Sequence, residues 1–213
     1  MKFFDGATIM IGMFAGPGGY PIKLVKELAN SGVKDLTIIA NTAGGDKLVA
    51  SFDDHEKLFI NKQVKKIICS FPAPIKVVSV AKKQIDAGEV EMEMLPMGNL
   101  AERIRAGGAG IPAFYTPVGI GTMFQTNEVK EIDGKLCMLQ RSLFADFALI
   151  RASIADSFNN LVYRGSGRNF NPIMAMAAKY VIAEVDTKID VLDPNMIVTS
   201  GIFVDQVVVS DEY

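Results

Sequence analysis

The sequence predicts an α/β fold, an open and mostly parallel sheet flanked by helices, with a small β-hairpin sub-domain. Three observations predict it. Short apolar runs alternate along the chain with amphipathic stretches of helical period. Several of these runs are almost entirely apolar, as in parallel sheets that are covered on both faces. One stretch breaks the alternation, because Asp133-Gly134 within residues 128–139 is a strong two-residue hairpin signal.

The apolar runs are predicted to form the strands of the main sheet. The first run (ATIMIG) follows the turn-like Asp5-Gly6, the second reads LTIIA, and the third ends in KKIIC. The fourth (VEMEML) alternates between apolar and acidic residues, which also fits a strand. In chain order the strands are predicted at residues 7–12, 36–40, 65–69 (at the end of the stretch 63–69), 90–95, 147–152, 181–185 and 202–209.

Helices are predicted between these strands because proline and glycine lie where helices begin and end. Pro21 and Pro172 take the opening positions of the first and last helices. Gly88 closes the second helix, and Gly107-Gly108 is expected to stop the third. In chain order the helices are predicted at residues 21–30, 75–87, 100–106 and 171–179.

Composition narrows the functional classes. A chain of 213 residues, 49% hydrophobic and 22% charged, predicts one soluble globular domain over residues 1–213. A net charge of −2 gives no electrostatic basis for binding nucleic acid or an anionic membrane. No apolar run reaches the roughly 18 residues of a membrane helix, and no signal peptide is expected. Cys69 and Cys137 lack metal or redox spacing, so a cytoplasmic location and no metal are expected.

The strongest candidate site is the glycine-rich segment after the first predicted strand, residues 12–19. Glycines let backbone approach a ligand closely, and the following helix would offer unpaired N–H groups to a pyrophosphate or thioester oxygen. The segment is neither a Walker A loop nor a clean GxGxxG fingerprint, and a plain tight turn is an equal alternative. The segment consists of Gly12, Met13, Phe14, Ala15, Gly16, Pro17, Gly18 and Gly19.

Asn41 and Thr42 follow the second predicted strand and form another candidate. In open α/β sheets ligands bind at the carboxyl ends of the strands. Asn41 would donate to a substrate carbonyl there, or it would simply form a turn.

A second glycine cluster follows two arginines, Arg103 and Arg105. It forms either the backbone wall of a site, with the arginines near a phosphate or carboxylate, or a helix stop with solvated arginines. Glu102 is expected to pair with the arginines rather than to act as a base. The cluster comprises Gly107, Gly108, Ala109 and Gly110.

The remaining reactive side chains give no nucleophile–base pair. His55 lies in a polar stretch and is expected at the surface, whereas Cys69 and Cys137 are expected in the core. Asn169 or Asn171 is expected to cap the last helix. The pattern therefore indicates a binding half whose reactive group lies elsewhere, or a site that uses a lone carboxylate.

Several motifs, in order along almost the whole chain, resemble family I CoA-transferases such as succinyl-CoA:3-oxoacid and acetate/acetoacetate CoA-transferases. The longest is NLAERIRAGGAGIPAFYTPVGIGT, and the opening DGATIMIGMF is similar to the N-terminal signature of the A (alpha) subunit. The matching stretches are residues 5–14, 41–44, 99–122, 145–150 and 168–172.

The resemblance implies an A (alpha) subunit that pairs with a B (beta) subunit of similar fold, often as A2B2. It implies coenzyme A as a substrate, carried as acyl-CoA, and a reaction between a short acyl-CoA and a carboxylic or 3-oxo acid. The catalytic glutamate lies on the B subunit, where it forms an acyl-glutamyl anhydride and then a glutamyl-CoA thioester. No catalytic residue is therefore expected in this chain, and residues 12–19 are expected to bind CoA.

The resemblance also implies a substrate-site wall, and it shows where this chain departs from the family pattern. Met13 replaces a glycine, the segment carries an extra glycine, and Met97 stands where an amide donor is usual. Two alternatives therefore remain: a CoA-transferase-like acyl-CoA hydrolase or decarboxylase subunit, and a non-catalytic ligand-binding α/β module. The implied wall comprises Asn41, Thr42, Met97, Asn99, Gly107, Gly108, Ala109 and Gly110.

Overall fold

The central feature of the computed structural model is an open sheet of parallel strands. The structure describes residues 2–13, 19–44, 54–72 and 79–210. A second, smaller sheet is antiparallel. The strands of both sheets, in chain order, are β1 (Thr8–Ile11), β2 (Leu36–Ile39), β3 (Val64–Cys69), β4 (Glu91–Met94), β5 (Ala113–Thr116), β6 (Val129–Ile132), β7 (Lys135–Arg141), β8 (Ala145–Ala155), β9 (Leu161–Val162), β10 (Ala178–Lys188) and β11 (Gln206–Val209).

The main sheet has the strand order β11-β10-β8-β1-β2-β3-β4, and β9 pairs with β8 at its far end. Every pairing along this order is parallel, whereas β9 is antiparallel. The mostly parallel sheet predicted from the sequence is confirmed. The chain builds the sheet outward from β1 to β4 and then returns to place β8 on the other side of β1, so the strand order reverses between β1 and β8.

Helices cover both faces of the sheet, and the side chains of β1 pack alternately against the two helical layers. Ile9 and Ile11 pack into the core cluster beneath α1, α2 and α3, whereas Met10 packs into the cluster beneath α4 and α5. Successive side chains of a strand point to opposite faces, so one short run supplies both cores. The helices are α1 (Ile22–Asn30), α2 (Glu56–Ile60), α3 (Val80–Asp86), α4 (Met97–Gly108) and α5 (Asn171–Met176), with 3-10 turns at Gly165–Arg168, Pro194–Met196 and Gly201–Phe203.

The predicted hairpin is confirmed, and it belongs to a three-stranded antiparallel sheet of order β5-β7-β6. Asp133 and Gly134 have φ angles of 49° and 74°, as a tight primed turn requires. The strand β5 was not predicted, because its four residues (AFYT) lie between Pro112 and Pro117 and resemble a loop.

Several predicted boundaries were wrong. The helix predicted at 171–179 ends at Met176, and β10 begins at Ala178. The strand predicted at 202–209 is a 3-10 turn followed by β11. Of the helix predicted at 75–87, residues 75–78 lie outside the described residues.

Gly107-Gly108 does not interrupt α4, because both glycines are helical and the helix runs to Gly108, two residues beyond the predicted end at residue 106. Gly110, with φ 73°, ends it: the N–H of Gly110 donates to Gly107 O and that of Ile111 to Ala106 O, both at 2.9 Å. A Cβ on Gly107 would lie 2.1 Å from the Leu143 carbonyl oxygen, and one on Gly108 would lie 2.6 Å from Met176 Cβ. These two glycines therefore let α4 pack closely against the chain before β8 and against the end of α5.

Two Gly→Ala variants of α4 are expected to change stability in opposite directions. Gly98→Ala adds a methyl in open space and should raise the free energy of unfolding by up to about 1 kcal/mol, because glycine is a poor helix former. Gly107→Ala meets a backbone carbonyl and should lower it by about 1–3 kcal/mol. Urea unfolding of both variants checks this, and a stabilised Gly107→Ala protein would contradict the packing role.

Candidate functional site

The glycine-rich segment begins at the point where the strand order of the main sheet reverses. Gly12 directly follows β1, and its N–H donates to Leu149 O of β8 at 2.9 Å, which continues the β1–β8 ladder. In open α/β sheets this switch point leaves a crevice at the carboxyl ends of the strands, where ligands bind. Of the predicted segment, Gly12, Met13 and Gly19 are described, whereas Phe14, Ala15, Gly16, Pro17 and Gly18 lie outside the described residues.

Both described glycines of the segment press against side-chain amides from one distant stretch of chain. A Cβ on Gly12 would lie 1.7 Å from Asn171 Oδ1, and a Cβ on Gly19 would lie 1.9 Å from Asn169 Nδ2. These contacts leave no room for a side chain at either glycine. Neither Asn169 nor Asn171 occupies the cap position of α5, which is Phe170, although Asn169 Oδ1 accepts the N–H of Asn171, the first helical residue, at 3.2 Å.

The prediction that the helix after the segment offers unpaired N–H groups is also wrong for the described part of α1. The N–H of Leu24 donates to Glu184 Oε2 at 3.0 Å, that of Ile22 to Tyr20 O at 3.0 Å, and that of Val25 to Pro21 O at 3.0 Å. A carboxylate at a helix N-terminus interacts favourably with the helix dipole. The positive end of α1 is therefore occupied by a side chain of the protein itself.

Glu184 and Arg151 form a buried ion pair beneath α1. Their side chains are 0% and 1% exposed, and Arg151 also contacts the half-exposed Asp186. Burial raises the pKa of Glu184, although the Leu24 N–H and the Arg151 guanidinium act in the opposite direction. This pair was not predicted from the sequence, where its only signal was a single charged residue in each of the predicted strands 147–152 and 181–185.

The end of β2 lies beside the glycine-rich segment. Asn41 and Thr42 are buried, and the Thr42 hydroxyl lies 3.9 Å from Met13 Sδ. Ser70 N–H donates to Asn41 O at 3.0 Å, and Thr42 pairs with Phe71, so the ends of β2 and β3 continue as a ladder. The structure thus brings Met13, Asn41 and Thr42 together at the carboxyl edge of the sheet.

The expectation that His55 is solvated at the surface is wrong. Its side chain is fully buried, its Nε2 lies 2.8 Å from Thr42 O, and its Nδ1 lies 3.3 Å from the Tyr20 hydroxyl. Burial raises the pKa of Tyr20 well above its usual value, with the Asp54 charge acting in the same direction. His55 and Tyr20 therefore connect the start of α1 to the turn after β2 at the carboxyl edge of the sheet.

The predicted wall residues of α4 divide between its two ends. Met97 and Asn99 lie in its first turn, and Asn99 Nδ2 donates to Val118 O at 3.1 Å. Gly107 packs on Leu143, which precedes β8, so residues 107–110 lie at the amino edge of the sheet. Because six residues of extended chain separate Leu143 from Leu149, the two edges are roughly 20 Å apart. The structure therefore does not bring residues 107–110 next to Gly12.

The arginines of α4 are paired inside the chain. Arg103 is buried and bonds the Glu93 carboxylate and Arg141 O. This contradicts the interpretation of Arg103 as solvated. Arg105 is exposed and pairs with Glu102, as predicted.

The predicted burial of both cysteines is confirmed, and they are free thiols. Burial raises the pKa of the Cys69 thiol to about 12. At pH 8 its thiolate fraction is therefore about one in ten thousand, which is too small for a nucleophile.

We expect neither Cys69 nor Cys137 to react with a thiol reagent in the folded chain, and both to react in urea. Rapid labelling of Cys69 in the native state would contradict this.

Within the described ranges, no group of three or more His, Cys, Asp or Glu side chains could hold a metal ion. None of the described helices has the length and apolar character that a bilayer span requires.

Comparison with known proteins identifies the family. The sequence profile of the coenzyme A transferase family matches residues 1–210. The chain belongs to the coenzyme A transferase family. Among relatives of this CoA-transferase family chain, the A (alpha) subunit of the 3-oxoadipate CoA-transferase of Pseudomonas putida is 46% identical over 207 residues, covering 96% of this chain and 87% of that one. The corresponding subunit of a probable succinyl-CoA:3-ketoacid coenzyme A transferase of Bacillus subtilis (strain 168) is 43% identical over 207 residues, covering 96% and 83%.

A solved CoA-transferase structure shares the fold. The acyl-CoA transferase of Escherichia coli O157:H7, in a thioester complex with CoA, superposes on this CoA-transferase family chain with a TM-score of 0.83 at 23% identity. The match covers 99% of this chain and 45% of that chain. The family resemblance inferred from the motifs is confirmed.

Proposed function

We propose that this chain is the A (alpha) subunit of a heteromeric CoA-transferase that moves CoA between a short acyl-CoA and a carboxylic or 3-oxo acid. The observation that carries the proposal is a family match over residues 1–210, combined with a glycine-rich segment at the switch point of the sheet. The names of the relatives, which mark them as one of two kinds of subunit, support pairing with a B (beta) subunit. An A2B2 assembly of two such pairs and a cytoplasmic location complete the proposal, and two buried free thiols support a reducing compartment.

In the proposed reaction the acyl-CoA carbonyl is attacked by a glutamate carboxylate of the B subunit. The C–S bond breaks, CoA leaves as its thiolate, and an acyl-glutamyl anhydride forms. The thiolate then attacks the glutamyl carbonyl, which releases the donor acid and leaves a glutamyl-CoA thioester. The acceptor acid repeats the two steps in reverse. Cys69 would not compete as a nucleophile, because burial raises the pKa of its thiol to about 12.

This chain would bind CoA and close one wall of the site. The glycine-rich segment is the proposed CoA-binding element, and its backbone N–H groups are the proposed donors to the oxyanions of both steps. The Gly12 N–H is already bonded to Leu149 O, so these donors would follow Gly12 in the chain. Asn41, Thr42, Met97 and Asn99 are the proposed wall. The packing of Gly107 and Gly108 gives those glycines a role in the helix contact instead.

The test is an exchange assay on the chain purified together with its B subunit. Succinyl-CoA and acetyl-CoA are offered as donors to a panel of acids that includes 3-oxoadipate, acetoacetate and acetate. We expect CoA exchange for at least one pair, ping-pong kinetics, and a CoA adduct on the B subunit by mass spectrometry. The chain without its partner should not catalyse exchange. Absence of exchange across the panel would refute the proposal.

The same assay separates the alternatives. An acyl-CoA hydrolase would release free CoA without an acceptor acid, which a thiol reagent detects, and a decarboxylase would release CO₂. A ligand-binding module would bind CoA without turnover. Light scattering of the purified complex measures its mass against the 23.1 kDa of this chain, and thereby tests A2B2.

A further inference from the structure

The glycine-rich segment is held at both ends by one side chain far away in the sequence. Asn171 is fully buried at the start of α5. Its Nδ2 donates to Gly19 O at 3.1 Å, and its Oδ1 accepts from Arg151 N of β8 at 3.1 Å. The same Oδ1 lies against the Cα of Gly12, where a methyl would come within 1.7 Å of it. One amide therefore contacts the first and the last residue of the segment and ties both to β8.

The chemistry of the neighbours fixes the amide orientation. Arg151 presents an N–H, which needs the oxygen, whereas Gly19 and Gly167 present carbonyls, which need the NH₂ group; the bond to Gly167 O is 3.0 Å. Only an amide supplies an acceptor on one side and two donors on the other. Aspartate has the same shape but would place a carboxylate oxygen against two carbonyl oxygens.

Neighbouring backbone is strained in support of this contact. Asn169 adopts φ 28°, outside the common regions for a residue with a side chain. In that conformation its Nδ2 reaches Gly167 O at 3.1 Å and faces Gly19, while its Oδ1 accepts the Asn171 N–H at 3.2 Å. The turn before α5 is therefore organised around the end of the glycine-rich segment.

We propose that Asn171 is a positioning residue for CoA binding, which fixes Gly12 and Gly19 relative to β8. It does not touch the substrate. The functional part of this inference rests on the proposed CoA-transferase function, whereas the positioning itself has a readout that does not depend on activity.

The first test compares Asn171→Asp with a matched control, Asn61→Asp. The Asn61 amide also donates to two oxygens, Ala29 O at 3.2 Å and Gln63 Oε1 at 3.0 Å, but it lies before β3 at the opposite edge of the sheet. In the complex with the B subunit, Asn171→Asp should raise KM for the acyl-CoA donor by about tenfold with a smaller change in kcat. Asn61→Asp should leave both constants unchanged. An unchanged KM in Asn171→Asp would overturn the proposal.

The second test is a double-mutant cycle between Gly12→Ala and Asn171→Ser. In the parent protein the new methyl collides with the Asn171 amide and should raise KM strongly. In Asn171→Ser the shorter side chain leaves space, so the effect of Gly12→Ala should be smaller by about tenfold. Additive effects would show that the two residues do not act together and would overturn the proposal. Asn171→Ser also serves if Asn171→Asp fails to fold.

A third measurement separates the two proposals. Amide hydrogen exchange at Gly12 and at Gly19–Tyr20 should be faster in Asn171→Ser than in the parent, and unchanged in Asn61→Asp. If no acid accepts CoA but amide hydrogen exchange at these residues is faster, the proposed enzyme function fails and the positioning role stands. If the complex transfers CoA but amide hydrogen exchange at these residues is unchanged in Asn171→Ser, the positioning role fails.

Discussion

Arg151→Met is expected to lower the free energy of unfolding by about 3–5 kcal/mol, because it leaves the Glu184 carboxylate buried without its counter-charge. Both side chains are at most 1% exposed, so water cannot replace the guanidinium. Urea unfolding followed by circular dichroism measures the change. The matched control is Arg141→Met, whose partner Glu128 and own side chain are both more than half exposed. That variant should lose no more than about 1 kcal/mol.

The stability lost in Arg151→Met should depend on pH, and the direction follows from the pKa of Glu184. The pKa of Glu184 is raised in the folded chain above its unfolded value of about 4.5. The stability that follows from this shift is therefore complete below pH 4.5 and is lost as the pH rises through the folded pKa. Without Arg151 that pKa should rise further, and the deficit of Arg151→Met should be larger at pH 8 than at pH 5. Arg151→Met/Glu184→Leu removes the buried charge and should be more stable than Arg151→Met. A deficit independent of pH would contradict this explanation.

Asp156→Asn is expected to lower the free energy of unfolding by about 2–4 kcal/mol, because the carboxylate accepts four hydrogen bonds in a buried site. Asp156 is 1% exposed and follows β8. Its Oδ1 accepts the N–H of Phe158 at 3.0 Å and of Asn160 at 2.9 Å, and its Oδ2 accepts Asn160 Nδ2 at 2.9 Å and the N–H of Leu192 at 3.3 Å. An amide has only one acceptor oxygen, so either orientation sets an NH₂ group against two donors.

Acid should remove the advantage of Asp156. Burial acts to raise its pKa, but the hydrogen bonds from Asn160, Leu192 and Phe158 outweigh it and leave the pKa below its usual value of 3.8. The stability it contributes is therefore complete above about pH 4 and is lost as pH falls through the lowered pKa. The gap between the parent and Asp156→Asn should narrow below pH 3. The control is Asp193→Asn, an exposed cap residue where asparagine serves equally well; a similar loss there would refute the argument.

Local patterns were sufficient to predict most of the framework. Apolar runs identified the strands of the parallel sheet, and Asp133-Gly134 identified the hairpin, because these features depend on neighbours in the sequence. The carboxyl-edge position of Gly12 and Asn41 followed from the direction of parallel strands alone. The fold class and the family could therefore be predicted before any contact was known.

Features that depend on distant partners could not be predicted. His55 lies in a polar stretch, yet it is buried because Tyr20, 35 positions earlier, meets its ring. Asn171 resembled a helix cap, but its amide bonds a carbonyl 152 positions earlier. Glu184 lies within an apolar strand, and its partners are on β8 and α1. In each case the local sequence shows a polar residue, and only the tertiary structure supplies what satisfies it.

The strand order has a consequence for how the chain is made. β1 leaves the ribosome well before its partner β8, which lies about 138 positions later in the chain. At usual translation rates the nascent chain waits roughly 10–30 seconds before β8 can cover that side of β1. During this interval an apolar strand edge is open to chaperones or to aggregation. Truncated chains that end before β8 should therefore be poorly folded, and the carboxyl end of β1 should be among the last regions to mature.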